Sequence, residues 1–234
     1  HRLDSINRGR DGSADGPIAS PVIAGDRVFA LGAKGQLLAL DLASGEVVWK
    51  KSMDVDLGAS APDFGYGVTP LAIGDRLIVL TEVAGGAINA LDIATGEVLW
   101  SAESGGFRYQ IPVAVEIGGR TLVVTAGGHQ LIGFDPADGE VVLSHELAED
   151  EHLDPVLTAI GNGRLMVNVN GDGVAFALEE SDGAIVAREL FRTRDLGRTY
   201  ALPVYHDGNL YGFRGQILSC VDAGPGERRW RLRP

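Results

Sequence analysis

The chain has 234 residues, 45% hydrophobic and 22% charged, which is enough apolar content for a packed core and argues against disorder. Its net charge of −12 argues against broad binding to nucleic acid or anionic lipid, whose phosphates it would repel. No run reaches 18 apolar residues, so no membrane-spanning helix is expected.

The first residues, 1–16 (HRLDSINRGRDGSADG), are polar, rich in turn formers and free of any motif. The chain starts on His with no signal peptide before it, so it is expected to be a processed chain or an excised piece. From residue 17 a strand-rich pattern begins. Pro21–Ala24 reads as a first strand, Gly25-Asp26 as a turn, and Arg27–Leu31 as a second strand of β-branched and aromatic residues. Lys34-Gly35 leads to a third strand, Gln36–Leu42, and the turn Ala43-Ser44-Gly45 to a fourth, Glu46–Lys50. No segment sustains an i, i+3, i+4 pattern, so no helix is expected. The stretch 53–67 reads as a long loop that could overhang its neighbours.

The same text then recurs. ALDLASGEVVW (39–49) returns as ALDIATGEVLW (90–100), with eight of eleven positions identical. Gly45 and Gly96 are followed by Gly139, Gly183 and Gly226, at intervals of 51, 43, 44 and 43 residues. Upstream, Pro21, Pro70, Pro112, Pro155 and Pro203 fall once in each of the same repeats. Two markers in phase give five repeats of about 43 residues, each of four strands, which is the period of propeller blades. The expected blades span approximately 17–53, 66–104, 109–147, 152–191 and 200–234.

Within a repeat the roles follow from chemistry. Asp41 ends a strand, where its carboxylate can accept the free N–H groups of the next turn. Gly45 suits a left-handed conformation. Trp49 brings a broad apolar ring toward the neighbouring blade, and small Ala39 lets a ring approach closely. Ala90, Asp92, Gly96 and Trp100 repeat the set, and Asp222, Gly226 and Trp230 close the chain with Cys220 in the Ala place. In the middle the pattern thins. Asp135 and Gly139 remain, but counting from the glycines puts Leu143 and Ala187 in the Trp place and Glu179 in the Asp place. The third and fourth repeats are therefore expected to pack less regularly.

The pattern Ala-x-Asp-x-x-(Thr/Ser)-Gly-(Lys/Glu)-x-x-Trp resembles the tryptophan-docking motif of the quinoprotein, or PQQ-like, β-propellers, and the resemblance covers residues 17–230. It implies an all-β fold of four-stranded antiparallel blades. Relatives usually have seven or eight, so five blades imply an incomplete arc, with a closed five-bladed ring as the alternative. The resemblance implies PQQ and calcium for enzyme members, but the family's adjacent cysteine pair is missing, and no segment matches its catalytic Asp. Non-catalytic members imply a scaffold for a protein partner or small ligand. The localisation it implies is periplasmic or envelope-associated.

Candidate sites are few. Cys220 is the single cysteine and reads as a small buried hydrophobe. Asn168, Asn170, Asp172, Gly173 and Glu179 have the spacing of a calcium loop, but without flanking helices. If Gly173 matches Gly35, the segment is a hairpin instead. Residues 188–234 hold nine Arg against five Asp or Glu, while the remainder holds 11 basic and 27 acidic residues. Tyr66, Tyr109, His152 and Tyr200 stand three or four residues before a repeat proline, with Arg108 and Arg198 beside them. First strands of blades line the channel, so this set is the expected ligand or partner site at the channel mouth.

Overall fold

The computed structural model describes residues 19–60, 62, 65–81, 87–103, 111–197 and 201–233. Among these, twenty strands form five four-stranded antiparallel sheets, each ordered as an up-and-down meander. The first sheet is β1 (Val22–Ala24), β2 (Arg27–Leu31), β3 (Gln36–Asp41) and β4 (Val47–Ser52). The second is β5 (Leu71–Ile73), β6 (Arg76–Thr81), β7 (Ala87–Asp92) and β8 (Val98–Glu103). The third is β9 (Val113–Ile117), β10 (Arg120–Gly127), β11 (Gln130–Phe134) and β12 (Val141–Glu146). The fourth is β13 (Leu153–Gly161), β14 (Arg164–Val169), β15 (Asp172–Ser181) and β16 (Ala184–Thr193). The fifth is β17 (Val204–His206), β18 (Asn209–Arg214), β19 (Ile217–Asp222) and β20 (Arg228–Leu232). The all-β fold and four-stranded repeat read from the sequence are both present.

Two compact units divide the chain. The first takes residues 1–112 and 136–140; the second takes 113–135 and 141–234. In the first unit the core lies between two sheets. Phe29, Leu31, Leu37 and Trp49 of the first sheet cluster with Leu77, Val79 and Leu91 of the second. The second unit has two such layers. Leu122, Val124, Leu131 and Leu143 pack with Leu165, Val167, Val174 and Phe176. Met166, Ala175 and Phe191 pack with Leu210, Val221 and Ala223. Each layer joins the forward face of one sheet to the back face of the next in sequence, because strand alternation gives every sheet two apolar faces.

Three expectations need correction. A helix does exist: α1 (Met53–Leu57) occupies the start of the stretch read as a loop. It is five residues long, too short for any periodicity to register. It is anchored by fully buried Met53, a Ser52 N–H bond to Asp56 Oδ2 at 2.6 Å, and a left-handed Gly58 at its end. Gly173 does not match Gly35. The β14–β15 turn is the two-residue Asn170-Gly171, both at positive φ, and Gly173 lies within β15 opposite Asn168.

The third correction concerns the fourth sheet. In the first, second, third and fifth sheets a β-bulge falls between the third and fourth strands at Ala39/Leu40, Ala90/Leu91, Gly133/Phe134 and Cys220/Val221. Each lies six residues before its repeat glycine. In the fourth sheet the bulge is at Ala175/Phe176, two residues earlier than Gly183 would place it. Ser181 pairs with Ala184 around a two-residue Asp182-Gly183 turn, with φ of 51° and 80°. That type I′ geometry suits Asp-Gly and tightens the hairpin. Ala187 then lies opposite Leu178, Glu179 pairs with Val186 inside the strand, and the residue facing the small Ala175 is Phe191.

Candidate functional site: docking turns and the connection face

In the first, second and fifth sheets the turn between the third and fourth strands is held by the aspartate that ends the third strand. Asp41 Oδ1 accepts the N–H of Ala43 at 3.1 Å and of Ser44 at 2.8 Å, and the Ser44 hydroxyl at 2.9 Å. Asp92 makes the same three bonds with Ala94 and Thr95 at 2.9, 2.8 and 3.1 Å. Asp222 holds the Gly224 N–H at 2.8 Å. These donors hold all three carboxyls below the ordinary aspartate value, with the backbone N–H of Ser44, Thr95 and Gly224 respectively as the largest cause.

Onto such turns fall aromatic rings. In the first unit the Trp49 indole covers Gly96, where a Cβ would lie 2.8 Å from the ring, and its N–H donates to the Ile93 carbonyl at 3.0 Å. Trp100 repeats this within the same unit, covering Gly139 and donating to the Pro136 carbonyl at 3.0 Å. In the second unit Phe191 covers Gly226 in the same manner, without an indole donor. Only a residue without a Cβ fits under these rings, and φ values of 74°, 80° and 76° also favour glycine. Phe191 was missed by counting from Gly183. The Asp182-Gly183 pair was the available signal: pairing outward from a two-residue hairpin, with one bulge, brings Ala175 opposite Phe191.

The other ends of the sheets carry the connections from one sheet to the next. Tyr66 belongs to the first unit and is 3% exposed, packed over Gly35 and Met53, with its N–H bonded to the Ala33 carbonyl at 2.8 Å. Its ring fills the core and does not present itself to a ligand. His152 belongs to the second unit and is exposed. Arg108, Tyr109, Arg198 and Tyr200 lie outside the described residues, so the set expected at the channel mouth is represented by these two alone.

Around His152 the second unit has a polar network. The His152 N–H donates to Asn170 Oδ1 at 3.1 Å, the Asn170 N–H returns to the His152 carbonyl at 3.1 Å, and Asn170 Nδ2 donates to the Asp150 carbonyl at 3.0 Å. Arg192 bridges Glu151 at 2.6 Å and Glu189 at 3.1 Å, and those carboxylates, Glu189 first, raise its pKa further. Asp172 receives Arg214 at 2.9 Å and Arg194 at 3.8 Å, the latter side chain 88% exposed. The calcium-loop spacing dissolves here. Asn168 is buried opposite Gly173, Asp172 is bound to arginine, and Glu179 pairs with Arg188 at 2.5 Å. Among the described residues no three His, Cys, Asp or Glu side chains gather in a metal-holding group. Among the described residues Arg192, Arg194 and Arg214 of this face each lie beside a carboxylate. No chemical step is assigned to a quinone or its calcium.

The family model described as outer membrane protein assembly factor BamB matches residues 5–231. The chain belongs to this family of PQQ-type β-propeller repeats. A 43-residue stretch, 18% of the chain, is 44% identical to the outer membrane protein assembly factor BamB of Aliivibrio fischeri, of which it covers 11%. The crystal structure of BamB from Moraxella catarrhalis superposes with a TM-score of 0.62 at 19% identity, over 93% of this chain and 60% of that one. Quinohemoprotein alcohol dehydrogenase from Comamonas testosteroni gives 0.63 at 12% identity, over 93% and 43%. The five sheets are thus propeller blades, and the chain spans 60% or less of the length of these relatives, as a partial propeller would. No helix among the described residues is long and apolar enough to cross a membrane.

Proposed function

We propose that this BamB-like chain is a non-catalytic scaffold of the cell envelope whose connection face binds a protein partner. The observation that carries the reading is the family match over residues 5–231, to a model described as an outer membrane protein assembly factor. The polar network around His152 supports it. Its charges are tied to one another and to backbone, so the surface is held in one conformation before any partner arrives, which lowers the entropic cost of binding. Arg194 and His152 are among its exposed groups. Tyr109 and Tyr200 are the further contacts that the sequence pattern suggests.

A photo-crosslinking residue placed at Arg194 or His152 in source cells tests this. The expected product is a discrete adduct with an envelope protein, competed away by purified chain and reduced by Tyr109→Ala or Tyr200→Ala. Fractionation that puts the chain outside the envelope, or adducts no stronger than from exposed Val186 on β16, would refute it. The alternative, a piece of a PQQ-dependent dehydrogenase, has the likeness to the alcohol dehydrogenase behind it, and at 12% identity that carries the fold alone. Titration with PQQ and calcium ions separates the two: saturable binding would favour the enzyme.

A further inference from the structure

Within the second unit, the seam between the third blade (β9–β12) and the fourth (β13–β16) is irregular at the end that carries the docking turns. Counted from the β-bulges, Leu122 holds the place that Arg76 holds in the second blade and Arg164 in the fourth. Those two blades turn at once beyond that place. In the third, β9 and β10 stay paired further, Thr121 with Glu116 and Arg120 with Ile117, before turning at Gly118-Gly119. Beside this longer hairpin lies a cleft of about 410 Å³. It is lined by Ile117, Gly118 and Gly119, by Asn162 and Gly163 of the β13–β14 turn, and by Leu178. That volume lies within the range of small-ligand sites, roughly 300–1,000 Å³.

The cleft borders an acceptor that the other seams satisfy. The Ile93 carbonyl receives the Trp49 indole at 3.0 Å, the Pro136 carbonyl receives that of Trp100 at 3.0 Å, and the Ala223 carbonyl receives the Arg164 guanidinium at 3.1 Å. Arg164 also donates through Nε to its own Gly161 carbonyl at 3.4 Å, so one planar cation spans a turn carbonyl and a seam carbonyl. Leu178 is the counterpart of Ile93 and Ala223. Its N–H donates to the Gly163 carbonyl at 2.7 Å, as theirs do to Asp75 at 3.0 Å and Gly208 at 2.9 Å. A strand residue points its N–H and C=O to the same side, so the Leu178 carbonyl faces Gly163. A Cβ on Gly163 would lie 2.9 Å from that oxygen and 3.7 Å from the Glu116 carbonyl oxygen. In the third blade the two donor places are held by Leu143, opposite Gly133, and by Leu122, and neither side chain has an N–H. Arg120 is turned to Asp135 at 3.3 Å. Among the described residues no donor of the third blade reaches the Leu178 carbonyl, although Leu178 is only 3% exposed and an unmet buried acceptor is costly.

We propose that this cleft binds a guanidinium group supplied from outside the chain. The cation takes, on the Leu178 and Glu116 carbonyls, the place that Arg164 takes on those of Ala223 and Gly161. A planar fork serves two oxygens at once, where an ammonium presents a single point charge. Carbonyl oxygens and a net charge of −12 favour a cation over an anion. The arginine side chain of a partner protein and a free guanidino compound share this chemistry. The cleft sits at the docking-turn end of the sheets, opposite the connection face, so it stands or falls separately from the function proposed above.

Titration of the isotope-labelled chain with acetyl-argininamide, followed by NMR, tests this. Saturable shifts are expected at the Gly118, Gly119 and Gly163 amides and at the Leu178 carbonyl carbon. Acetyl-lysinamide should bind about tenfold more weakly. Gly163→Ala places a methyl against the Leu178 oxygen and should abolish binding. Gly183→Ala carries the same left-handed backbone with nothing within 4 Å and should leave binding unchanged. Should Gly163→Ala fail to fold, the wild-type shift map and the arginine-to-lysine ratio still decide. Methylguanidine and an arginine-containing pentapeptide separate the two sources: equal binding assigns the cleft to a free compound, tighter peptide binding to a partner's side chain. Shifts that spare these residues, equal binding of the arginine and lysine probes, or no saturation in the millimolar range overturns the proposal.

Discussion

Phe191→Ala is the sharpest test of how the fourth blade is built. Phe191 is 9% exposed and lies against Gly226, opposite Ala175. A buried aromatic side chain removes about 200 Å² from water, which at about 25 cal/mol per Å² gives an upper bound of roughly 5 kcal/mol. Truncating such a ring in a core costs about 3–5 kcal/mol, because the cavity collapses only in part. Little can move into this one: Gly226 has no side chain and Ala175 is already small. We therefore expect about 3 kcal/mol of destabilisation in the second unit. Urea unfolding followed by Trp230 fluorescence reads that unit, since the other two tryptophans, Trp49 and Trp100, belong to the first. With a slope of about 2 kcal/mol per M, the midpoint should fall by roughly 1.5 M. Ala187→Ser, at the position counted from Gly183, should shift it by no more than about 0.25 M. A small effect at 191 together with a large one at 187 would show that the hairpin register argued above is wrong.

Gly139→Ala and Gly183→Ala share a φ of 80°, but only Gly139 lies under a ring, with Trp100 at 2.5 Å from the Cβ position. Both should carry the left-handed backbone cost of about 1 kcal/mol, and Gly139→Ala at least about 1–3 kcal/mol more for overpacking, read as a lower unfolding midpoint. Trp49→Phe keeps most of the ring and loses the bond to the Ile93 carbonyl, for an expected cost of about 1 kcal/mol plus a small packing loss. The folded-state pKa values of Asp41, Asp92 and Asp222 lie below their unfolded values. Their contribution is thus fully present above about pH 4 and is lost as pH falls through the folded pKa values. The stability gap between wild type and Asp92→Asn should accordingly narrow as the solution is acidified, and carboxyl NMR titration should place the Asp92 midpoint below that of a free aspartate. The exposed Arg188–Glu179 pair should contribute little: Arg188→Ala is expected to leave the urea midpoint unchanged within error.

The sequence determined the repeat, and with it the fold class. Asp41, Gly45 and Trp49 write a turn and a ring whose chemistry is local: a carboxylate on nearby N–H groups and a glycine at positive φ. Such interactions span a few residues, so they are visible as spacing. What the ring lands on is not local. Trp49 reaches Gly96, 47 positions away, and only packing shows which turn receives it. The fourth blade makes the same point in reverse. Gly183 keeps the spacing but serves a tighter hairpin, and the ring that covers Gly226 comes from Phe191, where the repeat pattern put nothing. Tyr66 looked like a ligand contact from its place before Pro70, yet burial against Gly35 and Met53 made it core. The sequence supplies the side chains that can cover a surface. Tertiary packing decided which surfaces were covered, because burial depends on the neighbour across the gap and not on the neighbour along the chain.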